Sequence, residues 1–224
     1  MINIFYSYIS EKNHKFLMKE VLPDFPIAFQ KRIKRYKNWK EAQLSLLGRV
    51  LLNYGLKGLN KNLSNQEISY TLYGKPYFDN ESIRFNISHS GDIVVCAIAV
   101  EDIGIDVEIV KNIDVHSFKY QMTSSEWEQV ISSNNVNNSF FTYWTQKESV
   151  IKADGMGLSV PLRSFEIIND RANINGQYFF LKEIKLNDNY ICYLASKFRI
   201  DMLDIKPKLV FVLEKYYGEN IFKA

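Results

Sequence analysis

The sequence predicts an α+β fold resting on antiparallel sheet. Short alternating or continuous apolar segments rich in β-branched and aromatic residues recur at both ends of the chain. Two longer segments near the middle carry apolar residues at helical spacing. The connections are short clusters of Asn, Asp, Gly and Ser, with no Pro-, Gly- or Ser-rich linker and no internal repeat.

Taken in order, "INIFYSYI" reads as the first strand. Residues 40–56 form a helix whose stripe is Ala42, Leu46, Leu47, Val50 and Leu51. "EISYTLYGKPYF" is a strand broken by a turn, since Pro76 cannot donate to a ladder. "FNISHSG" precedes the strand "IVVCAIAV", and a turn at Glu101-Asp102 leads into "IGIDVEIV". That last pair reads as a β-hairpin near the centre of the chain. Thr123 or Ser124 caps a helix over "TSSEWEQVI". "NNVNNS" (134–139) reads as a loop, and "SFFTYWTQKESVIKAD" as a helix stopped at "GMG". "SFEIIN", "QYFFLKEIKL", "NYICYLASK" and "KLVFVLEK" alternate like antiparallel strands.

At 224 residues the chain can bury a substantial core, and 46% hydrophobic with 24% charged residues is ordinary for a globular protein. Cys96 and Cys192 lie in apolar strand-like runs without CxxC spacing, so they read as buried thiols and not as a zinc site. The N-terminus lacks a basic region ahead of its apolar stretch, and no window is long enough to span a bilayer, which points to the cytoplasm. The net charge of +3 is small. It is unevenly placed, because "KRIKRYKNWK" (31–40) holds six basic residues and no acid, the mark of an anionic partner.

"GIDVE" carries the most chemistry. On a strand Asp106 and Glu108 emerge on one face while Ile105 and Val107 face the core. Glu148, on the helix anchored by Trp144 and Ile151, adds a third acid. Three carboxylates brought together repel one another unless a cation joins them, and an all-oxygen set favours Mg²⁺. Lys147 and Lys152 flank Glu148. An i,i+4 pair of Glu148 and Lys152 is either a surface ion pair or an acid beside an ammonium that steadies a phosphate. Ser88 and His89, adjacent on an extended segment, point to opposite faces and make a poor nucleophile and base. No G-x-S-x-G elbow is present.

"YGKP" (73–76), "FNISHSG" (85–91), "GIDVE" (104–108) and "WTQKESVIKADGMGL" (144–158) occur in this order, and the set resembles the 4′-phosphopantetheinyl transferases of the Sfp type. The resemblance implies two similar halves with antiparallel sheets related by a pseudo-twofold axis, divided here as residues 1–102 and 103–224. It implies transfer of phosphopantetheine from coenzyme A to a serine of acyl or peptidyl carrier domains of peptide, polyketide or fatty-acid synthases, with Mg²⁺, releasing 3′,5′-ADP. It further implies a monomer with neither nucleic-acid nor membrane partners. Residue by residue, Asp106, Glu108 and Glu148 match the metal-binding acids, Glu148 also the base, and Lys152 the group that meets the departing phosphate. His89 with Ser88 and Ser90 matches the phosphate contacts, and Lys75 and Pro76 the adenine segment. The candidates for the coenzyme A 3′-phosphate are Lys31, Arg32, Lys34 and Arg35, with Ser45 beside them. The family arginine that precedes this hydroxyl is Leu44 here. Phe118, Lys119, Tyr120 and Met122 match the carrier-facing segment, with core packing as the alternative. A metal-dependent phosphohydrolase and a basic nucleic-acid-binding module are the rival functions.

Overall fold

The computed structural model describes residues 1–61, 67–79 and 82–212. Ten strands and five α-helices are defined among them. A first sheet has the order β10-β1-β5-β4, built from β1 (Ile2–Tyr8), β4 (Arg84–Ser90), β5 (Ile93–Ala99) and β10 (Lys208–Leu209). A second has the order β6-β9-β8-β7, built from β6 (Ile103–Ile109), β7 (Arg171–Ile174), β8 (Gln177–Glu183) and β9 (Tyr190–Ser196). A small hairpin joins β2 (Ile68–Tyr70) to β3 (Pro76–Phe78). The short helices α1 (Glu11–Phe16) and α2 (Ile27–Ile33) precede α3 (Trp39–Gly58), and α4 (Ser124–Ile131) precedes α5 (Val136–Asp154).

The expected α+β class holds, with two sheets each carrying one long helix. Alternation along the strands explains the layering. Val94, Cys96 and Ile98 of β5 face α3 in one core, while Ile93, Val95, Ala97 and Ala99 share another with Ile103, Ile105 and Val107 of β6. The inner faces of the two sheets therefore pack on each other, and α3 and α5 lie outside them. Both cysteines are buried and unpaired, as expected. Burial pushes both thiols above their ordinary pKa, so they stay protonated. No helix among the described residues is long and apolar enough to cross a membrane.

The central hairpin expected of "IVVCAIAV" and "IGIDVEIV" does not form. β5 pairs with β1 and β4, and β6 pairs with β9 in the other sheet. Gly91, at φ 56°, closes the β4–β5 hairpin instead, a conformation that glycine takes without strain. The free edge of β6 is then satisfied by side chains. The amides of Ile105, Val107 and Ile109 donate to Asn86 Oδ1 (2.8 Å), Ser88 Oγ (3.4 Å) and Ser90 Oγ (3.1 Å) of β4. Polar residues at period two in "NISHS" thus replace a backbone ladder between the two halves.

Three smaller expectations also change. "SFEIIN" is irregular, and the strand lies further on at β7. Asn135 accepts from the Asn138 amide as an N-cap, which starts α5 at Val136 inside the expected loop. Among the described residues of "KLVFVLEK", Lys208–Leu209 is the strand, and it runs parallel to β1 because the chain returns from the far half. The last residues of that segment, 213 onward, lie outside the described residues.

Candidate active site

Gly104 sets the site. A Cβ there would stand 2.1 Å from the Ser149 carbonyl oxygen and 2.2 Å from the Ala153 nitrogen, so only glycine lets the backbone of α5 lie directly on β6. That contact holds Glu148 and Lys152 over the face of β6 from which Asp106 and Glu108 project. The i,i+2 reading of "GIDVE" is therefore met in space, with Ile105 and Val107 in the core.

Asp106 is 3% exposed. Its Oδ1 accepts from Lys152 Nζ at 2.5 Å and from Ser88 Oγ at 2.8 Å, and Lys152 Nζ also donates to Ser88 at 2.9 Å. Lys152 therefore pairs with Asp106 across the interface, not with Glu148 along its own helix. Ser90 Oγ donates to Glu108 Oε2 at 2.5 Å. Both serines of "SHS" thus face the acids of β6, while His89 points to the other side. Neighbouring protein pushes the His89 pKa down, Glu41 opposing and Lys152 adding to the fall.

One atom in this network is left over. Asp106 Oδ2 is buried with no hydrogen-bond partner. Burial raises the pKa of Glu148 and of Glu108, with the charge of Asp106 pushing both the same way. Among the described residues no three His, Cys, Asp or Glu side chains already converge on a single point. Glu148 lines the cleft, while Asp106 and Glu108 lie on the adjoining face of β6, close enough for the charge of Asp106 to act on both other acids. The donor set is oxygen only, and an unpartnered buried carboxylate oxygen is where a hard cation fits it.

The cleft beside these groups encloses a cavity of 270 Å³, lined by Tyr73, Lys75, Pro76, Ile87, Glu148 and Lys152 among others. Glu148, whose carboxylate has no hydrogen-bond partner among the described residues, faces it. The cavity thus lies between the β2–β3 turn of one half and α5 of the other.

Lys31, Arg32, Lys34 and Arg35 are all exposed. Arg32 Nη2 donates to Ser45 at 3.4 Å, and its guanidinium lies 5.0 Å from the Phe29 ring centroid. Leu44 is buried in the core under α3. Arg49 was missed by the sequence reading. It sits 5.3 Å from the same Phe29 ring and 3.4 Å from Tyr70 Oη. The signal was present, because Ser45 and Arg49 are four apart and share a helix face. Neither arginine has a carboxylate within 4.0 Å among the described residues.

Lys147 turns away from the cleft. It is 1% exposed, pairs with Glu126 at 2.9 Å, and donates to the carbonyls of Leu162 (2.7 Å) and Phe165 (2.5 Å). Glu126 also closes a capping box with Thr123 and accepts from the Ile167 amide at 3.0 Å. Of the carrier candidates, Met122 is buried and Phe118 packs on Phe140 and Trp144. Lys119 and Tyr120 are exposed beside a 570 Å³ groove that Arg163 and Trp127 also line.

Fold and site together define a two-halved α+β protein with Glu148, Lys75 and Lys152 on a cleft between the halves and Asp106 beside it. Comparison with known sequences places that class. Residues 13–101 match the family described as 4′-phosphopantetheinyl transferase, N-terminal, and residues 102–199 match the 4′-phosphopantetheinyl transferase superfamily. The 4′-phosphopantetheinyl transferase gsp of Aneurinibacillus migulanus is 34% identical over 206 residues, 85% of this chain and 86% of its own. The 4′-phosphopantetheinyl transferase Sfp of Bacillus subtilis is 33% identical over 196 residues, 83% of this chain and 80% of its own. A solved holo-[acyl-carrier-protein] synthase of Thermotoga maritima overlaps in part, at TM-score 0.33 and 18% identity over 42% of this chain and 61% of that one, too little to bear on the fold. The chain belongs to the 4′-phosphopantetheinyl transferase superfamily and is an enzyme of the Sfp type.

Proposed function

We propose that this enzyme transfers the phosphopantetheine arm of coenzyme A to a serine of an apo carrier domain, releasing 3′,5′-ADP. The observation that carries the reading is the family match across both halves, joined to a cleft whose chemistry suits it. The serine oxygen attacks the pantetheine-side phosphorus, a new O–P bond forms, and the P–O bond to the nucleotide breaks. The serine proton goes to a base, and the leaving phosphate departs with added negative charge.

This chain's residues have separable parts in that step. The Glu148 carboxylate faces the cavity with no hydrogen-bond partner among the described residues, and burial and Asp106 raise its proton affinity, which suits it to accept the serine proton. Lys152 presents an ammonium held by Asp106 and Ser88, aimed where phosphate charge grows. Asp106, Glu108 and Glu148 are the groups that would hold Mg²⁺, with the unpartnered Asp106 Oδ2 as the natural ligand atom. An ion held there would supply positive charge to pyrophosphate oxygens. Chelation with EDTA is expected to stop transfer, and added Mg²⁺ to restore it; turnover unchanged in EDTA would remove the metal from the account.

Arg32, Ser45 and Arg49 suit the coenzyme A 3′-phosphate, with two guanidiniums against one ring and the Ser45 hydroxyl bonded to Arg32. Arg49 supplies the charge that Leu44, committed to the core, does not. A charge-assisted hydrogen bond contributes about 1.5–3 kcal/mol, about tenfold to a hundredfold in affinity. Arg49→Ala is expected to raise the KM for coenzyme A by that factor and to leave the KM for 3′-dephospho-coenzyme A nearly unchanged. Equal rises for both would place Arg49 elsewhere. On the carrier side, Lys119 and Arg163 outnumber the one acid, Glu128, and join Tyr120 on a groove suited to an acidic carrier helix, with Met122 beneath it and Phe118 packed against the neighbouring core.

A further inference from the structure

The residue whose placement the proposed reaction leaves unused is Lys75. Its turn is stiff: the Thr71 amide donates to the Lys75 carbonyl (2.9 Å), the Gly74 amide to the Thr71 carbonyl (2.9 Å), and the Lys75 amide to Thr71 Oγ1 (3.1 Å). Gly74 takes φ 81°, the left-handed region that glycine favours. From this fixed backbone the side chain crosses to the other half. Its Nζ donates to the Ala153 carbonyl at 3.1 Å and the Ile103 carbonyl at 3.3 Å. Among the described residues it forms no ion pair, so its direct partners are these two backbone oxygens.

Each partner belongs to an element that carries the chemistry. Ala153 follows Lys152 in the last turn of α5, where a cation also meets the negative end of the helix dipole. Ile103 opens β6, three residues before Asp106. The path is shaped to fit, since Gly155 caps α5 at φ 88° and a Cβ there would lie 3.2 Å from Lys75 Cδ. Burial lowers the Lys75 pKa, with Asp102 opposing. A half-buried ammonium whose direct partners are two carbonyls contributes little to stability, so its use lies in alignment.

We propose that Lys75 is a positioning residue: its ammonium clasps the turn that walls the nucleotide side of the cleft to α5 and β6, and so sets the Glu148–Lys152 helix against the Asp106 strand. This rests on the transferase reading of the site. Filling the cleft against Tyr73 and Pro76 then bears directly on the alignment of the acids. An adenine contact through the Lys75 ammonium is the competing role, and it acts on coenzyme A affinity alone.

The test removes the ammonium and keeps the aliphatic stem, with Lys75→Met and Lys75→Gln measured beside wild type. A misplacement of about 1 Å costs about a hundredfold in rate. The expected result is a tenfold to hundredfold fall in kcat per folded molecule, with the KM for coenzyme A within about threefold of wild type. The Mg²⁺ concentration for half-maximal rate rises, and Lys75→Arg, which restores donors, recovers part of the kcat. Without any substrate, amide exchange at Gly155 in the last turn of α5 quickens by about tenfold, the worth of one net hydrogen bond. An unchanged kcat with a raised KM would overturn the clasp in favour of a nucleotide contact. Unchanged kinetics and exchange would overturn it outright, and failure of both variants to fold would make Lys75 a structural residue only. A wild-type protein that transfers nothing would instead sink the transferase reading, while the exchange result still decides whether the clasp exists.

Discussion

Asp106→Asn is expected to transfer phosphopantetheine at about a thousandth of the wild-type rate while folding normally. Asparagine keeps the oxygen that accepts from Lys152 Nζ and Ser88 Oγ, so the link between β4, β6 and α5 survives. It replaces the unpartnered Oδ2 with an amide that repels a cation, and it removes one of three negative charges from the cleft. A metal ion contributes several kcal/mol to such a step, and each 1.36 kcal/mol is tenfold in rate. Single-turnover transfer by mass spectrometry measures the loss, and calorimetric titration with Mn²⁺ measures ion binding without turnover. A variant within tenfold of wild type, or one binding the ion as tightly, would show that Asp106 does not hold it.

Lys147→Met carries the largest expected effect on stability. Lys147 and Glu126 form a pair 1% and 2% exposed, with the Leu162 and Phe165 carbonyls completing the ammonium's bonds. Removing one member strands Glu126 as a buried carboxylate, which costs about 3–5 kcal/mol. At about 2–4 °C per kcal/mol for a chain of this size, Tm falls by about 10 °C. The double variant Lys147→Met with Glu126→Gln removes both charges and recovers most of that loss. Thermal melts of the three proteins decide it. A double variant no better than Lys147→Met would mean that the pair is not coupled as its geometry indicates.

How far the sequence revealed this molecule depended on whether an element's partner lay within its own segment. α3 and α4 were readable because their apolar spacing and the Thr123 cap are local. The pairing of β6 was not, because its true neighbour β9 lies more than 80 residues on, and its other edge is met by Asn86, Ser88 and Ser90 side chains. Period-two polar residues in "NISHS" look like one face of an ordinary strand until the second strand is placed beside them. For the same reason the sequence does not show that the Ser88 hydroxyl donates to Asp106. Lys147 and Lys152 looked alike beside Glu148, and only the packing of α5 separates the buried structural cation from the one on the cleft. Arg49 escaped notice because its i,i+4 spacing from Ser45 is a spacing any helix face offers, while the residues that single it out, Arg32 and Phe29, come from another helix. The acids themselves were legible, since i,i+2 on a strand fixes a common face wherever that strand packs.

The central claim is tested most directly by the intact mass of an apo carrier protein after incubation with this enzyme, coenzyme A and Mg²⁺. The account predicts a gain of one phosphopantetheine per carrier with an equal amount of 3′,5′-ADP, and no gain with Asp106→Asn over the same interval. A panel of apo carriers that keep their mass with the wild-type enzyme, or gain it equally with Asp106→Asn, would contradict it.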